Sequence, residues 1–322
     1  MTEHLLPTLQ DVLKARTHVY RYLKPTPLTH YAGLSQLVGA QVWVKHENHQ
    51  PVGAFKVRGG LNLVANLSSE ERKGGLFTAS TGNHGQSIAF AARANGVQAT
   101  IAMPEQSNPG KVAAMQGLGA TVVFHGKDFD TAREWIARVA EERGGRFLGP
   151  TDEPLIHGVG TYALEILEDL PDADAIIVPV GAGSGVSATS IVARSINAAI
   201  QVIGAQSAQA PAMQLSWAAA EPVTAPTTTF AEGVATRVPF ENTRRIMRAF
   251  LDDFVLVEDR DIEDAIVLLL EHTHNLAEGA GAIPLAAALN LKDRLAGKKV
   301  VLVQSGGNLS IENLRRILDA RK

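Results

Sequence analysis

Short apolar runs alternate with longer Ala-rich amphipathic segments along most of the 322-residue chain. Several of the runs are apolar almost throughout, which is typical of parallel strands buried on both faces. Such alternation predicts an α/β protein with two open, doubly wound and mostly parallel sheets. The predicted strands are 41–47, 76–80, 98–103, 121–125, 175–180, 201–206 and 299–304, and the clearest helical segments are 85–96, 109–119 and 130–145.

The length of the chain predicts more than one structural unit, because a single hydrophobic core seldom grows beyond 250–300 residues. We expect a small mobile domain over residues 77–145, inserted into a large domain formed by residues 1–76 and 146–322. The Pro- and Thr-rich segment 221–233 is typical of a surface loop rather than a domain linker.

Composition excludes several classes of protein. The formal net charge is −3 with both signs mixed, so nothing indicates a nucleic acid or an anionic membrane as partner. No apolar run is long enough to span a bilayer, the start does not resemble a signal peptide, and a cytoplasmic location is the expectation. Cysteine is absent, which removes disulfides and thiolate metal sites. His272 and His274 are two residues apart and would point to different faces of a helix, so no metal is predicted.

Polar, glycine-rich segments follow three of the predicted strands. They are 80–87 after strand 76–80, 181–189 after strand 175–180, and 305–310 after strand 299–304. Open α/β sheets bind ligands at the carboxyl ends of their strands. The sequence therefore predicts that these three segments meet around one ligand.

The segment 178–189, VPVGAGSGVSAT, places small residues between a strand and a helix. Exposed backbone N–H groups and the positive end of the helix would suit a phosphate. The spacing matches neither a dinucleotide fingerprint nor a Walker loop. An ordinary tight strand–helix turn is an equally good interpretation of this segment alone.

The turn 80–85, STGNHG, crowds several polar side chains into the start of a helix. Ser80, Thr81 and Asn83 are all residues that cap helices, which is the simple interpretation. Since one cap needs one such residue, the sequence favours a turn that binds a carboxylate. We expect His84 to be a hydrogen-bonded support rather than an acid–base group.

Lys56 lies beside an aromatic residue, Phe55, among residues that are small: Gly53, Ala54, Gly59 and Gly60. Small neighbours predict that a flat ligand approaches the amine closely. An amine, a phosphate loop and an anion-binding turn together suit a cofactor that is both aldehyde and phosphate. Pyridoxal 5′-phosphate has both groups, and it forms a Schiff base with lysine. A non-catalytic binding protein is the rival interpretation, but such a protein has no need of the amine.

These motifs resemble those of the fold-type II pyridoxal-phosphate enzymes, which have a tryptophan synthase β-like fold. Within them, the chain resembles the threonine/serine dehydratase and serine racemase family. The resemblance runs from 25-PTPLTH-30 to 304-QSGGNLS-310, with four motifs in the family's order.

The resemblance implies roles for individual residues around the cofactor. Lys56 would form the Schiff base and act as a base, with Phe55 against the pyridine ring. Asn83 would contact the 3′-oxygen, Ser305 would bond the pyridine nitrogen, and Glu278 would lie nearby. The residues implied to hold the phosphate are Gly181, Ala182, Gly183, Ser184 and Gly185, and those implied on the substrate side are Ser80, Thr81, Gly82, Asn83 and His84.

The resemblance also implies the reaction: a dehydratase (ammonia-lyase) that converts a β-hydroxy-α-amino acid to a 2-oxo acid and ammonia. L-threonine and L-serine are the leading substrates, and phenylserine or 3-hydroxyaspartate are bulkier alternatives. Arg133 and Arg237 are available to bind a second carboxylate. An amino-acid (serine) racemase is the alternative, since the hydroxyl of catalytic candidate Thr81 lies where racemases have a serine. A homodimer is expected from the resemblance only.

The chain departs from the family pattern at several positions. Gln206 and Ala212 stand where the family has the Glu and Asp of a divalent-cation site, so we expect no magnesium there. His157 and Tyr162 replace smaller or aliphatic residues, which indicates altered packing or a site adapted to a larger substrate.

Overall fold

A computed structural model describes residues 6–321, and the predicted α/β architecture is confirmed. Within these residues, ten strands form two sheets. The strands are β1 (Leu28–His30), β2 (Gln41–His46), β3 (Leu76–Ala79), β4 (Ala99–Met103), β5 (Thr121–Phe124), β6 (Arg146–Phe147), β7 (Ala175–Pro179), β8 (Gln201–Ser207), β9 (Asp253–Val257) and β10 (Lys299–Gln304).

Helices cover the faces of both sheets. They are α1 (Leu9–Val19), α2 (Ala32–Val38), α3 (Lys56–Ala65), α4 (Ser69–Gly74), α5 (Asn83–Ala94), α6 (Pro109–Gly117), α7 (Phe129–Glu142), α8 (Glu153–Val159), α9 (Thr161–Asp169), α10 (Ser184–Ile196), α11 (Ala212–Ala218), α12 (Glu241–Phe250), α13 (Asp259–Thr273), α14 (Gly279–Asn290), α15 (Lys292–Leu295) and α16 (Ile311–Asp319), with 3-10 turns at Glu47–His49 and Glu232–Val234.

The larger sheet has the strand order β1-β2-β10-β7-β8-β9. Every neighbouring pair is parallel except β1 with β2. The central strands β7 and β10 are buried almost along their whole length, which explains their near-continuous apolar sequences. Because β7 and β10 are neighbours, the segments that follow them, 180–183 and 305–310, begin at the same edge of the sheet.

The smaller sheet is fully parallel, with the order β5-β4-β3-β6. Its strands come from residues 76–147, so β6 adds a short strand beyond the range expected for the small domain. The largest apolar cluster contains Ile88 and Ile101 from this region together with Val57 of α3 and Ile176 of β7. The two sheets therefore share a core, and the domain limits and the mobility of 77–145 stay predictions.

All seven predicted strands are present, with ends displaced by one residue at most. Three further strands, β1, β6 and β9, were not predicted. β1 and β6 have only three and two residues, too few for a periodic pattern. β9 lies at the edge of its sheet and is only partly buried, so its run is mixed in character.

A cluster of four charged side chains, Lys45, Glu47, Arg58 and Glu165, lies in the protein interior, all at most 2% exposed. Arg58 donates to Glu47 Oε2 (Nε, 2.7 Å) and to Glu165 Oε1 (Nη1, 2.6 Å). Lys45 Nζ donates to Glu165 Oε2 at 2.6 Å. Two cations face two anions, so this ionic cluster is electrically neutral.

Hydrogen bonds from neutral groups complete the ionic cluster. Tyr20 Oη donates to Glu165 Oε1 at 2.7 Å, and Thr26 Oγ1 donates to Glu47 Oε1 at 2.5 Å. Burial alone would raise the pKa of Glu165, but Arg58 and Lys45 outweigh burial and hold this pKa below its ordinary value. The cluster therefore joins β2, α3 and α9 through fully paired charges.

Among the helices within residues 6–321, none combines the length and the apolar character that crossing a bilayer requires.

We expect Glu165→Gln to lower the free energy of unfolding by about 3–5 kcal/mol, because it leaves buried cations without their full counter-charge. The matched control is Glu168→Gln on the same helix. Glu168 pairs with Arg16 at 2.6 Å, but the Glu168 side chain is 50% exposed. The control should change stability by about 1 kcal/mol or less. Urea unfolding of both variants at pH 7 checks this, and equal losses would contradict a special role for the ionic cluster.

Candidate active site

Lys56 is the first residue of α3, and its amine lies against the start of α10. Nζ donates to Ser184 Oγ at 3.1 Å and stands 5.3 Å from the centre of the Phe55 ring. Ser87 Oγ donates to the Lys56 carbonyl at 2.6 Å, which ties α3 to α5. Burial lowers the pKa of the Lys56 amine to about 8. A much larger share of this amine is therefore neutral at physiological pH than of an exposed lysine.

The glycines that follow Lys56 have a role that sequence reasoning assigned wrongly. A Cβ at Gly59 would come within 2.6 Å of the Leu155 side chain, and one at Gly60 within 2.3 Å of Ser87 Oγ. These two residues are small because α3 packs closely against α8 and α5. They are not small in order to admit a ligand.

The loop 181–185 follows β7 and runs into the first turn of α10. Gly183 has φ +90°, a conformation that favours glycine, and it is the N-cap of α10. Glycine has no side chain to accept the first N–H groups of the helix, and the first turn carries no acid. Thr243 Oγ1 donates to the Ala182 carbonyl at 2.6 Å and holds the loop in place. Within residues 6–321, no capping side chain bonds the start of α10, which therefore presents N–H donors beside a buried amine.

Phe55 and Tyr162 form the wall beneath this loop. Their rings meet edge to face with centroids 6.1 Å apart. Tyr162 is fully buried, and its hydroxyl contacts the Gly185 carbonyl at 2.9 Å and Thr189 Oγ1 at 2.8 Å. Tyr162 thus braces the first turn of α10, while the stacking of Phe55 on a cofactor ring stays a prediction.

The turn 80–85 is organised by Ser80. Its Oγ accepts hydrogen bonds from the N–H of Gly82 (3.2 Å) and of Gly85 (2.9 Å), so it caps α5. His84 is buried, with Nε2 3.1 Å from Thr78 Oγ1. Burial, with a smaller contribution from Lys56, lowers the pKa of His84 to about 3, so the ring is neutral at pH 7. Thr81 is half-buried on the same turn.

Asn83 links the smaller sheet to the larger one. Its Nδ2 donates to Glu278 Oε1 at 2.7 Å, and its Oδ1 accepts from Asn308 Nδ2 at 2.8 Å. Burial raises the pKa of the Glu278 carboxyl to about 7. Sequence reasoning did not single out Asn308, although it lies inside the motif 304–310.

Ser305 follows β10 and is buried. Its carbonyl accepts the N–H of Phe55 at 3.0 Å, and Ala54 forms a β-bridge with Gly306. The segment that carries Lys56 is thus fixed directly to the end of β10. The three strand-end segments and Lys56 are brought together as predicted.

Comparison with known proteins identifies the family. The profile of the family described as pyridoxal-phosphate dependent enzyme matches residues 19–306. The chain belongs to this family. The L-threonine ammonia-lyase of Thermotoga maritima is 40% identical over 315 residues, which cover 97% of this chain and 78% of that protein.

Two solved structures are similar to the fold-type II structure of this pyridoxal-phosphate enzyme. The processed form of threonine deaminase isoform 2 from Solanum lycopersicum has a TM-score of 0.92 at 31% identity, covering 98% of this chain and 89% of that chain. Maize serine racemase also has a TM-score of 0.92, at 30% identity and with 98% of each chain covered.

The residues of the site fit pyridoxal phosphate. The uncapped N–H groups at the start of α10 suit its phosphate, since a helix N-terminus with no acid in its first turn favours an anion. The buried Lys56 amine, with its lowered pKa, suits the aldehyde. The individual contacts of Asn83, Ser305 and Glu278 with the cofactor stay predictions.

The side chains that the sequence suggested for a larger substrate have partners in other parts of the chain. His157 is 3.7 Å from Glu153 Oε1 and lines a cavity of about 300 Å³ with Asp11, His18 and Asn62. Arg133 and Arg237 both lie 3.8 Å from Asp130.

Gln206, which stands at the family's cation position, is buried and hydrogen-bonded within the chain. Its Oε1 accepts from the N–H of Gln214 at 3.2 Å, and its Nε2 donates to Thr236 Oγ1 at 3.4 Å. Within residues 6–321 no three His, Cys, Asp or Glu side chains cluster as metal ligands. The expectation that no magnesium binds there stays a prediction.

We expect the rate at which the apoprotein takes up pyridoxal phosphate to rise with pH and to level off above about pH 8, because only the neutral Lys56 amine attacks the aldehyde. Below that pH the rate should rise about tenfold per unit. Stopped-flow absorbance measures this rate. The control is lysine amide acetylated on its α-nitrogen, with a free side-chain amine, and its rate should keep rising toward pH 10.5, the ordinary lysine pKa. The same continued rise in the protein would show that burial does not act on Lys56.

Proposed function

We propose that the protein is a pyridoxal-phosphate-dependent ammonia-lyase that acts on a β-hydroxy-α-amino acid, with L-threonine as the leading substrate and L-serine next. The reaction removes water across Cα and Cβ, and hydrolysis of the resulting enamine returns that water and releases a 2-oxo acid and ammonia. The observation that carries the proposal is the buried Lys56 amine beside the anion-receptive start of α10. The likeness to a threonine ammonia-lyase over 97% of the chain supports the substrate.

When bound, pyridoxal phosphate withdraws electrons from the substrate and so stabilises negative charge at Cα. Lys56 would hold the cofactor in the resting enzyme, the N–H groups of loop 181–185 would bind the phosphate, and Asn83 and Ser305 would contact the ring.

Lys56 also supplies the base. A free amine with a pKa of about 8 is partly neutral near pH 7 and can take the Cα proton. Ser184 Oγ, 3.1 Å from Nζ, accepts a hydrogen bond from the amine and stabilises it once it is protonated. His84 is neutral and buried against Thr78, so its role here is to support the turn 80–85.

The alternative is an amino-acid racemase. It is favoured by Thr81, whose hydroxyl lies on the turn 80–85, and by the likeness to maize serine racemase. Racemisation needs a second acid–base group on the face of Cα opposite Lys56. Ser80 cannot readily serve, because its Oγ already accepts two backbone N–H groups.

Bulkier substrates are a second branch of the proposal. A 3-hydroxyaspartate would bring a second carboxylate, for which Arg133 and Arg237 are the available cations. Since Arg237 is paired with Asp130 and its side chain is 68% exposed, threonine and serine remain the leading substrates.

We further propose that the region of the smaller sheet closes over the substrate and excludes water. Two ion pairs support closure, because each joins this region to the segment 230–240. Lys111 on α6 pairs with Glu232, and Asp130 on α7 pairs with Arg237. A Cβ at Gly233, the residue after Glu232, would lie 3.8 Å from Glu278 Oε1, so the first pair lies close to the site.

Homodimeric assembly and a cytoplasmic location belong to the same proposal. The homodimer is supported by the family resemblance alone, and the cytoplasmic location stays an expectation from the sequence.

We expect the wild-type enzyme to release 2-oxo acid from L-threonine, and Lys56→Ala to lose at least about a hundredfold in this rate, since the general base is removed. The panel also holds L-serine, both phenylserine diastereomers and 3-hydroxyaspartate, with the chirality of the remaining amino acid measured in parallel. Lys127→Ala, at an exposed lysine, is the matched control. Inverted amino acid without oxo acid, abolished by Thr81→Ala, would replace the lyase by the racemase.

We expect Lys111→Gln and Glu232→Gln each to lower kcat/KM for L-threonine about two- to fivefold, because an exposed pair stabilises closure by 1 kcal/mol or less. The double variant should lose no more than either single one. Lys299→Gln is the control, since it breaks a similar pair with Asp172 away from the cleft. Additive losses, or equal limited proteolysis of wild type and variants with a substrate analogue present, would argue against closure through this pair.

A further inference from the structure

Three polar side chains meet where the two sheets face each other: Asn83 at the start of α5, Glu278 before α14, and Asn308 after β10. Asn83 contacts both of the others, with 2.7 Å to Glu278 Oε1 and 2.8 Å to Asn308 Nδ2. The N–H of Asn308 also donates to the Glu278 carboxylate. This group, the amide–carboxylate cluster, is the polar connection between the turn 80–85 and the end of β10.

The direction of each hydrogen bond in the cluster follows from one backbone carbonyl. Asn308 lies 2.9 Å from the Val52 carbonyl oxygen, which can only accept. The Asn308 atom that faces Val52 must therefore be Nδ2. Its second hydrogen points to Asn83, so Asn83 must present Oδ1 on that side. Asn83 Nδ2 is then turned to Glu278, a carboxylate that accepts it.

With the hydrogen bonds in these directions, one of the two hydrogens on Asn83 Nδ2 has no acceptor within residues 6–321. Within residues 6–321, Glu278 Oε1 is the acceptor for this nitrogen. An asparagine nitrogen carries two hydrogens, so a second acceptor can be bound. With the amide turned by 180°, the same place would face an oxygen, which repels another oxygen.

We propose that Asn308 is a positioning residue, which turns the Asn83 amide so that an N–H and not its oxygen faces an anionic oxygen of the bound cofactor. This inference rests on the proposed function of the site, since it takes pyridoxal phosphate as the ligand. It adds a residue that does not touch the cofactor and acts only through Asn83.

Asn308 is itself held firmly enough to impose this direction. A Cβ at Gly53 would lie 2.7 Å from Asn308 Oδ1, and Gly53 has φ +67°. The N–H of Gly307 donates to the Gly53 carbonyl at 2.9 Å. The backbone at 52–53 therefore packs on both sides of the Asn308 amide, on the segment that leads to Lys56.

The test is the affinity of the apoprotein for pyridoxal phosphate without amino acid, titrated by absorbance and by quenching of tryptophan fluorescence. Asn308→Asp keeps the size of the side chain but replaces a donor by an acceptor. It can donate neither to Val52 nor to Asn83, so the Asn83 oxygen loses its donor and the amide is no longer held in one direction. We expect the dissociation constant to rise about tenfold or more, as for a lost hydrogen bond to a charged group.

A double-variant cycle separates positioning from a structural role. In an Asn83→Ala background, Asn308→Asp should change the dissociation constant less than about twofold, because the residue it orients is gone. Asn290→Asp, at an amide that bonds Asp261, is the matched control and should leave affinity unchanged. An equal loss of affinity with and without Asn83 would overturn the proposal.

Two further measurements keep the outcome clear. Asn308→Ala should weaken binding as well, though less, and thermal unfolding of the apoproteins establishes that both variants fold. Unchanged affinity in both folded variants would also overturn the proposal. Because no turnover is measured, a wild type that binds the cofactor yet releases no oxo acid would count against the lyase and not against Asn308.

Discussion

The structure depends on four buried charges that cancel. Lys45, Glu47, Arg58 and Glu165 are at most 2% exposed, and each carboxylate has a cationic partner at 2.6–2.7 Å. Charges removed from water are tolerated only when they are paired and hydrogen-bonded. Arg58 lies two residues after Lys56 on α3, and Glu165 lies on α9. The cluster thus fixes the helix that carries the reactive amine to the sheet and to the helix behind it.

The site around Lys56, a few residues away, differs from the neutral ionic cluster because its positive charge is not paired. Lys56 has no carboxylate partner within hydrogen-bonding reach, and its nearest polar contact in residues 6–321 is the hydroxyl of Ser184. The start of α10 adds a partial positive charge with no acid in its first turn. The electrically neutral ionic cluster thus holds in place a pocket whose positive charge is not cancelled by a carboxylate. An anion with an aldehyde completes that pocket, and this is the physical reason why the family's cofactor fits.

Much of this arrangement could be predicted from the sequence, because strand ends in an open parallel sheet meet at one edge. The motifs after β3, β7 and β10 were placed together on that ground, and Lys56 was added because its amine suits the aldehyde of the same cofactor. The ionic cluster was not predicted, since Arg58 and Glu165 are separated by 107 positions and neither lies in a recognisable pattern. Gly59 and Gly60 were explained wrongly, because helix packing and ligand approach both require small residues. Only the contacts with Leu155 and Ser87 distinguish them. The role of Asn308 can be inferred only from the position of the Val52 carbonyl in space, which a sequence motif does not give.

The position of Asn83 joins cofactor binding to the relation between the two sheets. Asn83 belongs to α5, beside the smaller sheet, whereas Glu278 and Asn308 belong to the larger one. Its amide is directed only while both sheets are in their present relation. Opening the cleft would separate the amide from both partners and free it to rotate. On the proposed closure, the donor toward the cofactor would form only when the cleft closes, so closure would do more than exclude water. It would complete the binding site, and cofactor affinity and cleft closure would then stabilise each other by the same free energy.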